Sequence, residues 1–564
     1  MSQTLPDPAA ATPAQILAAL IAPPPPVPPH TFELALVMGG TVSSGAYTAG
    51  AVDFLVEALD CFQAAKTAAG PYHNLVLKVL SGTSGGGVTA AILARALAYK
   101  VPPMSHGAAA AAQTQNPLYN IWVKQLDIAP MLDPSDIGTT LNSLLNATLL
   151  DTAAKYVETY AGDALPAPRD WVGAPLTVFM THTNLSGIPF NIDFGGGQYQ
   201  RFIDHADYVR FAICYPWQPD YTDPKPWEYA LNTPKQQDAL WPVLGNFALA
   251  SAAFPVGFPA RLLDRPRLHY QYRAISTTST PSQPSDYWII QPDWTAMDNT
   301  NNSPNIGNFR YSAVDGGVAN NEPIGLARTA LCGLLGQNPR STLRANRAVW
   351  LIDPFAGEAD MGSFNVSSIF QDATSTLNTL LQQTRYGTAD LILATDPDIY
   401  SRYMLSASNA TKTGNNVLAT SGLDAFLGFT CEAFRDFDYC LGRKNCQDFL
   451  RTVFRQSADN PVFNGWTADQ KTAFRDAGGD LPLIPLFGSA NDVETLPSWP
   501  AGALRTESLR PGLEARYKAI LNAALPASFW GKLASAAGGF LTEGDAASHV
   551  IGLIDDALTK AKLS

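Results

Sequence analysis

Cysteine is scarce in this chain, and so is charge. Six cysteines among 564 residues cannot staple a disulfide scaffold. Cys61, Cys214 and Cys332 stand alone and read as small packed apolar groups. Cys431, Cys440 and Cys446 lie closer together, but they form no Cys-x-x-Cys pair and have no histidine beside them, which argues against a zinc site. Charged residues are 15% of the chain against 46% hydrophobic ones, the balance of a globular protein. Basic residues are the scarcer sign: 37 Lys and Arg against 49 Asp and Glu, a net charge of −12. That argues against a nucleic-acid partner, which calls for a basic face, and it gives no overall attraction to anionic lipid. No apolar run is long enough to span a bilayer. No Lys or Arg precedes Lys66, so the basic start of a signal peptide is missing. The expected setting is the cytoplasm, with contact at a membrane surface left open. Oligomeric state is not readable, and nothing in the sequence calls for a metal or cofactor.

What is present is organised in three stretches. Residues 1–30 read as an appendage: a short helix over Thr12–Leu20, then a stiff proline-rich linker from Pro23 to Pro29. From residue 31 to about 355, short apolar strands alternate with helices. The strand-like runs are Phe32–Met38, Leu75–Leu80, Leu176–Thr181, Tyr311–Val314 and Ala348–Ile352, and a helix is expected from Tyr47 to about Ala65. Residues 113–165 read as largely helical, with Leu141, Leu144, Leu145 and Leu149 at helical spacing. This alternation predicts an α/β fold with a mainly parallel sheet covered on both faces. The stretch 215–308, rich in Pro, Trp, Tyr and Asn, interrupts the rhythm and reads as an excursion, with the tract Asp298–Asn305 as a loop. Residues 356–564 read as mostly helical, with loops near 456–512 and an amphipathic helix over Ala546–Lys562.

The pattern that bears chemistry is Gly82-Thr83-Ser84-Gly85-Gly86, between an apolar strand and a helix-like run from Gly87. Strand, Gly-x-Ser-x-Gly turn and helix form a nucleophile elbow, in which Gly82, Gly85 and Gly86 leave room for a strained serine. A serine hydroxyl needs a base. The run Val314-Asp315-Gly316-Gly317 closes another strand with a carboxylate, and in open α/β sheets sites form beyond the carboxyl ends of the strands. A third strand opens into Gly39-Gly40-Thr41-Val42-Ser43-Ser44-Gly45. Such a loop exposes backbone N–H groups to negative charge; a nucleotide-phosphate reading fails for want of a Gly-Lys-Ser/Thr ending or GxGxxG spacing.

These three elements, in this order, resemble the patatin-like phospholipase family, and Ala250-Ser251-Ala252-Ala253-Phe254-Pro255 is similar to the family's Ala-Ser-x-Ala-x-Pro stretch. The resemblance spans about residues 32–355. It implies a three-layer α/β/α domain and hydrolysis of lipid acyl esters, phospholipase A or lysophospholipase-like, by a Ser-Asp dyad. Carried over, Ser84 is the nucleophile, Asp315 the base, Gly316 and Gly317 the aspartate loop, and Gly39, Gly40 and Thr41 the oxyanion donors. The chain departs from the family's Gly-Gly-Gly-x-Arg/Lys-Gly loop: Thr41 stands for a glycine, Ser44 for the basic residue, and there is one extra residue. The segment Phe434–Arg443 also looks like the C-terminal part of some bacterial relatives; a helix end capped by Gly442 is the preferred reading. Two alternatives stay open. One is a conventional Ser-Asp-His esterase, with His549 in the right chain order or His182 at a strand end. The other is an inactive lipid-binding or scaffold protein, motivated by the altered loop.

Overall fold

The computed structural model describes residues 5, 7, 11–70, 72–138, 140–193, 196–276, 287–296, 307–355, 396–410, 412, 416–524 and 542–564; the tract Asp298–Asn305 lies outside them. Strand β1 (Thr31–Met38) is buried at every position, which is why its sequence is a continuous apolar run rather than an alternating one. It leads into helix α2 (Gly45–Ala69), then β2 (Asn74–Gly82) and α3 (Gly85–Ala96). Helix α1 (Pro13–Leu20) precedes them, started by a capping box between Thr12 and Gln15. The N-terminal stretch is more than an appendage, because Ile16 and Leu17 of α1 are buried against Tyr272 and Ile289.

The remaining core elements are α4 (Thr148–Thr159), β3 (Val172–Asp193), β4 (Tyr199–Ile213), β5 (Tyr229–Leu231), α5 (Pro234–Ser251), β6 (Arg261–Pro266), β7 (Asn308–Asp315), α6 (Ile324–Cys332) and β8 (Arg347–Ile352). Beyond these lie β9 (Arg402–Leu405), α7 (Glu432–Thr452), α8 (Arg510–Ala524) and α9 (Glu543–Ala561). A nine-stranded sheet runs β9-β8-β1-β2-β3-β4-β5, with β7 pairing to both β3 and β6. From β9 to β3 every pairing is parallel. The β3–β4, β3–β7 and β6–β7 pairings are antiparallel. Helices α2, α3 and α5 pack into the main core, while α6 covers Ala35, Val37, Val79 and Val349 on the opposite face. The architecture is the expected three-layer α/β/α with a mostly parallel sheet and a helical C-terminal region.

Three expectations need correction. Leu141–Leu145 is not helical, because its backbone is drawn elsewhere: the N–H groups of Leu144 and Leu145 donate to the carbonyls of Val256 and Gly257, and Arg516 takes the carbonyls of Ser143 and Leu144. Within the excursion, α5 is a core helix and β6 a sheet strand; both were obscured by the surrounding aromatic and proline-rich segments. Gly442 sits inside α7 rather than capping it. It is needed there because a Cβ would lie 2.0 Å from the Tyr47 carbonyl oxygen of α2. Reciprocally, a Cβ on Gly50 of α2 would lie 2.0 Å from the Tyr439 carbonyl oxygen. The two helices therefore meet backbone to backbone.

Candidate active site

The elbow forms where β2 ends. Ser84 has φ 53° and ψ −126°, a left-handed conformation that a non-glycine residue holds only when its surroundings impose it. The neighbouring glycines permit the turn. A Cβ on Gly82 would lie 2.4 Å from the Gly86 carbonyl oxygen, and one on Gly86 would lie 2.1 Å from that of Met38. Thr83 beneath the turn bonds to Thr181 of β3, their hydroxyls 2.5 Å apart.

Asp315 ends β7, paired with His182 of β3. Ser84 Oγ donates to Asp315 Oδ2 at 2.6 Å. Gly317 N–H donates to Oδ1 at 2.7 Å, and Thr183 Oγ1 to the Asp315 carbonyl at 2.8 Å. Gly316 must be small, since a Cβ would crowd Thr181. Burial pushes the Asp315 carboxyl up to about 6, against the lowering effect of the bonds from Ser84 and Gly317.

The stretch Ala250–Pro255 joins the two halves. Ser251 Oγ accepts the Ser84 N–H at 2.9 Å, and the Ala253 carbonyl accepts the Asp315 N–H at 2.9 Å. The motif was visible in the sequence; the tasks of its side chain and carbonyl were not.

The glycine-rich loop corrects one residue. Gly39 N–H donates to the Ile352 carbonyl at 3.2 Å, continuing the β1–β8 ladder, so it is not free to receive charge. The N–H groups of Gly40, Thr41, Val42 and Gly85 have no partner among the described residues. Gly40 lies against the nucleophile, since its Cβ would be 3.3 Å from Ser84 Cβ. Val42, missed at the sequence level, holds φ 47°. Ser84, Val42 and Gly85 line an apolar pocket whose empty space is about 790 Å³, open mouth included. Its wall includes Val88 and Ile92 of α3, Val157 of α4, Ala248 of α5, Trp122 and Phe429. Trp217, Trp227, Trp241 and Trp294 are outside this wall and pack on Tyr215, Tyr272, Arg95 and Tyr270 respectively.

Neither candidate histidine bonds to the serine. His549 is exposed on α9. His182 is buried, with Nε2 2.8 Å from Tyr311 Oη and 3.2 Å from Asp207 Oδ2. Burial holds its imidazole below its ordinary value despite the raising pull of Asp207. No helix of the described residues is long and apolar enough to cross a membrane.

Fold and geometry together define an α/β protein whose serine elbow opens on an apolar pocket. A family model, Patatin-like phospholipase, matches residues 36–328. An uncharacterized protein, y4iI, of Sinorhizobium fredii is 30% identical over 529 residues, covering 83% of this chain and 72% of its own. The crystal structure of VipD from Legionella pneumophila aligns over 94% of this chain and 88% of its own at 12% identity, with a TM-score of 0.23, too low to carry an argument. The chain belongs to the patatin-like phospholipase family. Membership implies hydrolase activity and a lipid substrate in general terms.

Proposed function

We propose that this protein hydrolyses lipid acyl esters by a Ser84–Asp315 dyad. The observation that carries the reading is the 2.6 Å bond between Ser84 Oγ and Asp315 Oδ2, with Ser84 in the lining of an apolar pocket. A fatty acyl chain fits that lining, because its burial there is favoured by about 0.8 kcal/mol per methylene. Ser84 Oγ attacks the ester carbonyl carbon as its proton passes to Asp315 Oδ2. The resulting oxyanion is received by the unspent N–H groups around Gly40–Val42 and Gly85, each worth about 3–4 kcal/mol of barrier. The C–O bond to the alcohol then breaks, and Asp315 returns the proton to the leaving oxygen. Water attacks the acyl-Ser84 ester, again giving its proton to Asp315, and the fatty acid leaves with Ser84 restored. A buried aspartate with its carboxyl at about 6 is a better base than a solvated one and is still ionised at neutral pH.

Peripheral contact with a lipid surface suits the rim. Leu144 and Val256 are 44% and 66% exposed, joined by a backbone bond, beside the pocket residues Phe254 and Phe258.

The test is labelling with a fluorophosphonate and release of fatty acid from phospholipid and lysophospholipid vesicles. Wild type reacts at Ser84 and releases fatty acid, while Ser84→Ala and Asp315→Asn do neither. A folded wild type that takes no label is an inert scaffold, and Asp315→Asn with full turnover ends the dyad.

A further inference from the structure

The segment Phe434–Arg443, set apart in the sequence for its likeness to bacterial relatives, contains a buried carboxylate that the reaction does not use. Asp438 is fully buried on α7. Its Oδ1 accepts the Ala419 N–H at 2.8 Å, and its Oδ2 accepts the Thr420 N–H at 3.0 Å and the Thr420 hydroxyl at 2.5 Å. The Thr420 hydroxyl has one hydrogen, and the carboxylate takes it. The 2.6 Å contact between Thr420 Oγ1 and Ser44 Oγ therefore has Ser44 as donor. A single-direction chain runs Ser44, Thr420, Asp438, and it starts in the glycine-rich loop.

The same C-terminal stretch grips that loop a second time. The Ala425 carbonyl accepts both the N–H and the hydroxyl of Ser43. Leu423, Asp424 and Ala425 have φ 54°, 51° and 67°, three consecutive left-handed residues without a glycine. Such strain persists only where surrounding bonds over-determine it, and it clusters at functional sites. The next residues reach the pocket: the Phe426 ring sits 5.5 Å from Phe254, and Phe429 is in the wall. Meanwhile α7 is fixed to α2, the helix that begins at Gly45, by the Gly50 and Gly442 contacts and by Arg443 bridging Asp53 and Glu57 at 2.5 and 2.6 Å.

We propose that Asp438 is a positioning residue for the oxyanion loop: acting through Thr420 and Ser44, it holds Thr41 and the left-handed Val42 in the conformation that presents their N–H groups to the carbonyl attacked by Ser84. The chain of bonds reaches the loop at Ser44, the position where the family's loop carries a basic residue. The inference rests on the acyl-transfer reading of Ser84.

The experiment uses the full-length protein with a soluble p-nitrophenyl ester and a fluorophosphonate. Thr420→Val and Ser44→Ala each lower kcat by about tenfold to a hundredfold, the cost of a small misplacement, while KM stays within about twofold because neither substituted side chain lines the acyl pocket. Ser84 phosphonylation slows in parallel. Thr420→Ser, which keeps the hydroxyl, restores wild-type kcat, and the Thr420→Val/Ser44→Ala double variant is no worse than the poorer single one, as expected of groups acting as a unit. Folded Thr420→Val and Ser44→Ala proteins with wild-type kcat overturn the proposal. Should Thr420→Val not fold, Ser44→Ala and Thr420→Ser decide in the same way. A wild type that is never labelled removes the acyl-transfer reading and this one together; a labelled wild type with unaffected variants removes this one alone.

Discussion

Ser251 Oγ accepts the backbone N–H of Ser84 at 2.9 Å across 167 positions of sequence. The bond fixes the peptide that carries the strained serine, and both residues are buried. Ser251→Ala leaves a buried N–H without an acceptor, which costs about 1–3 kcal/mol. The expected result is a lower unfolding midpoint together with a fall of about tenfold or more in kcat for ester hydrolysis, as the elbow relaxes. Thermal unfolding and initial rates on the same preparation check it. A variant that is destabilised but turns over normally would show that Ser251 supports only the fold.

The Asp315 carboxyl at about 6 has two opposite consequences. As a base it must be ionised, so kcat/KM is half-maximal near pH 6, falls about tenfold per unit below that, and is level above. Stability runs the other way. The folded state binds this proton more tightly than the unfolded chain, whose value is 3.8. Its stabilising contribution is therefore full below about pH 4 and lost as pH rises through 6, a cost on the order of 3 kcal/mol. Asp438, pushed by burial to about 7, acts in the same direction at slightly higher pH. Asp315→Asn removes the first cost and is expected to raise the unfolding midpoint at pH 8 while abolishing turnover. Urea titrations at pH 5 and pH 8 measure it; an equal effect at both would mean that the aspartate is not the titrating group.

Local patterns made much of the fold legible, and non-local ones hid the rest. The apolar run of β1, the elbow glycines and the amphipathic pattern of helix α9 are signals contained within a short stretch of chain, although the capping box of Thr542 and Asp545 starts α9 at Glu543, ahead of the expected Ala546. The meeting of Ser84 and Asp315 was readable as two motifs that each close a strand, 231 positions apart. Gly39 could not be sorted from Gly40 by sequence, because what separates them is a carbonyl of Ile352 more than 300 residues on. Likewise the leucines of 141–145 have helical spacing, but their peptide groups bond to Val256, Gly257 and Arg516. Where long-range hydrogen bonds claim the backbone, periodicity stops predicting structure.

The pocket predicts chain-length selectivity. Ala153 of α4 lines it and is buried. Ala153→Phe projects a ring into space that a long acyl chain needs. Relative kcat/KM for palmitoyl over butyryl p-nitrophenyl esters is expected to drop at least about tenfold, the scale of a few methylenes losing their burial. Butyryl turnover stays within about twofold. An unchanged ratio would place the acyl chain elsewhere.

The crossing of α2 and α7 predicts the largest stability effect. A Cβ at Gly442 would stand 2.0 Å from the Tyr47 carbonyl oxygen and 2.9 Å from the Ala51 nitrogen, both backbone atoms of a buried helix that cannot yield as a side chain can. Gly442→Ala must push the helices apart, which disturbs the Arg443 bridges to Asp53 and Glu57 and the aromatic contact of Tyr439 with Tyr119. In an ordinary helix interior the same change is stabilising by about 0.5–1 kcal/mol. Here overpacking reverses the sign, and a loss of about 3 kcal/mol is expected. Equilibrium urea unfolding of Gly442→Ala beside Gly552→Ala, whose Cβ on α9 meets open space, separates the two regimes: the first midpoint falls and the second holds or rises. A Gly442→Ala protein as stable as wild type would mean that the two helices are not in backbone contact.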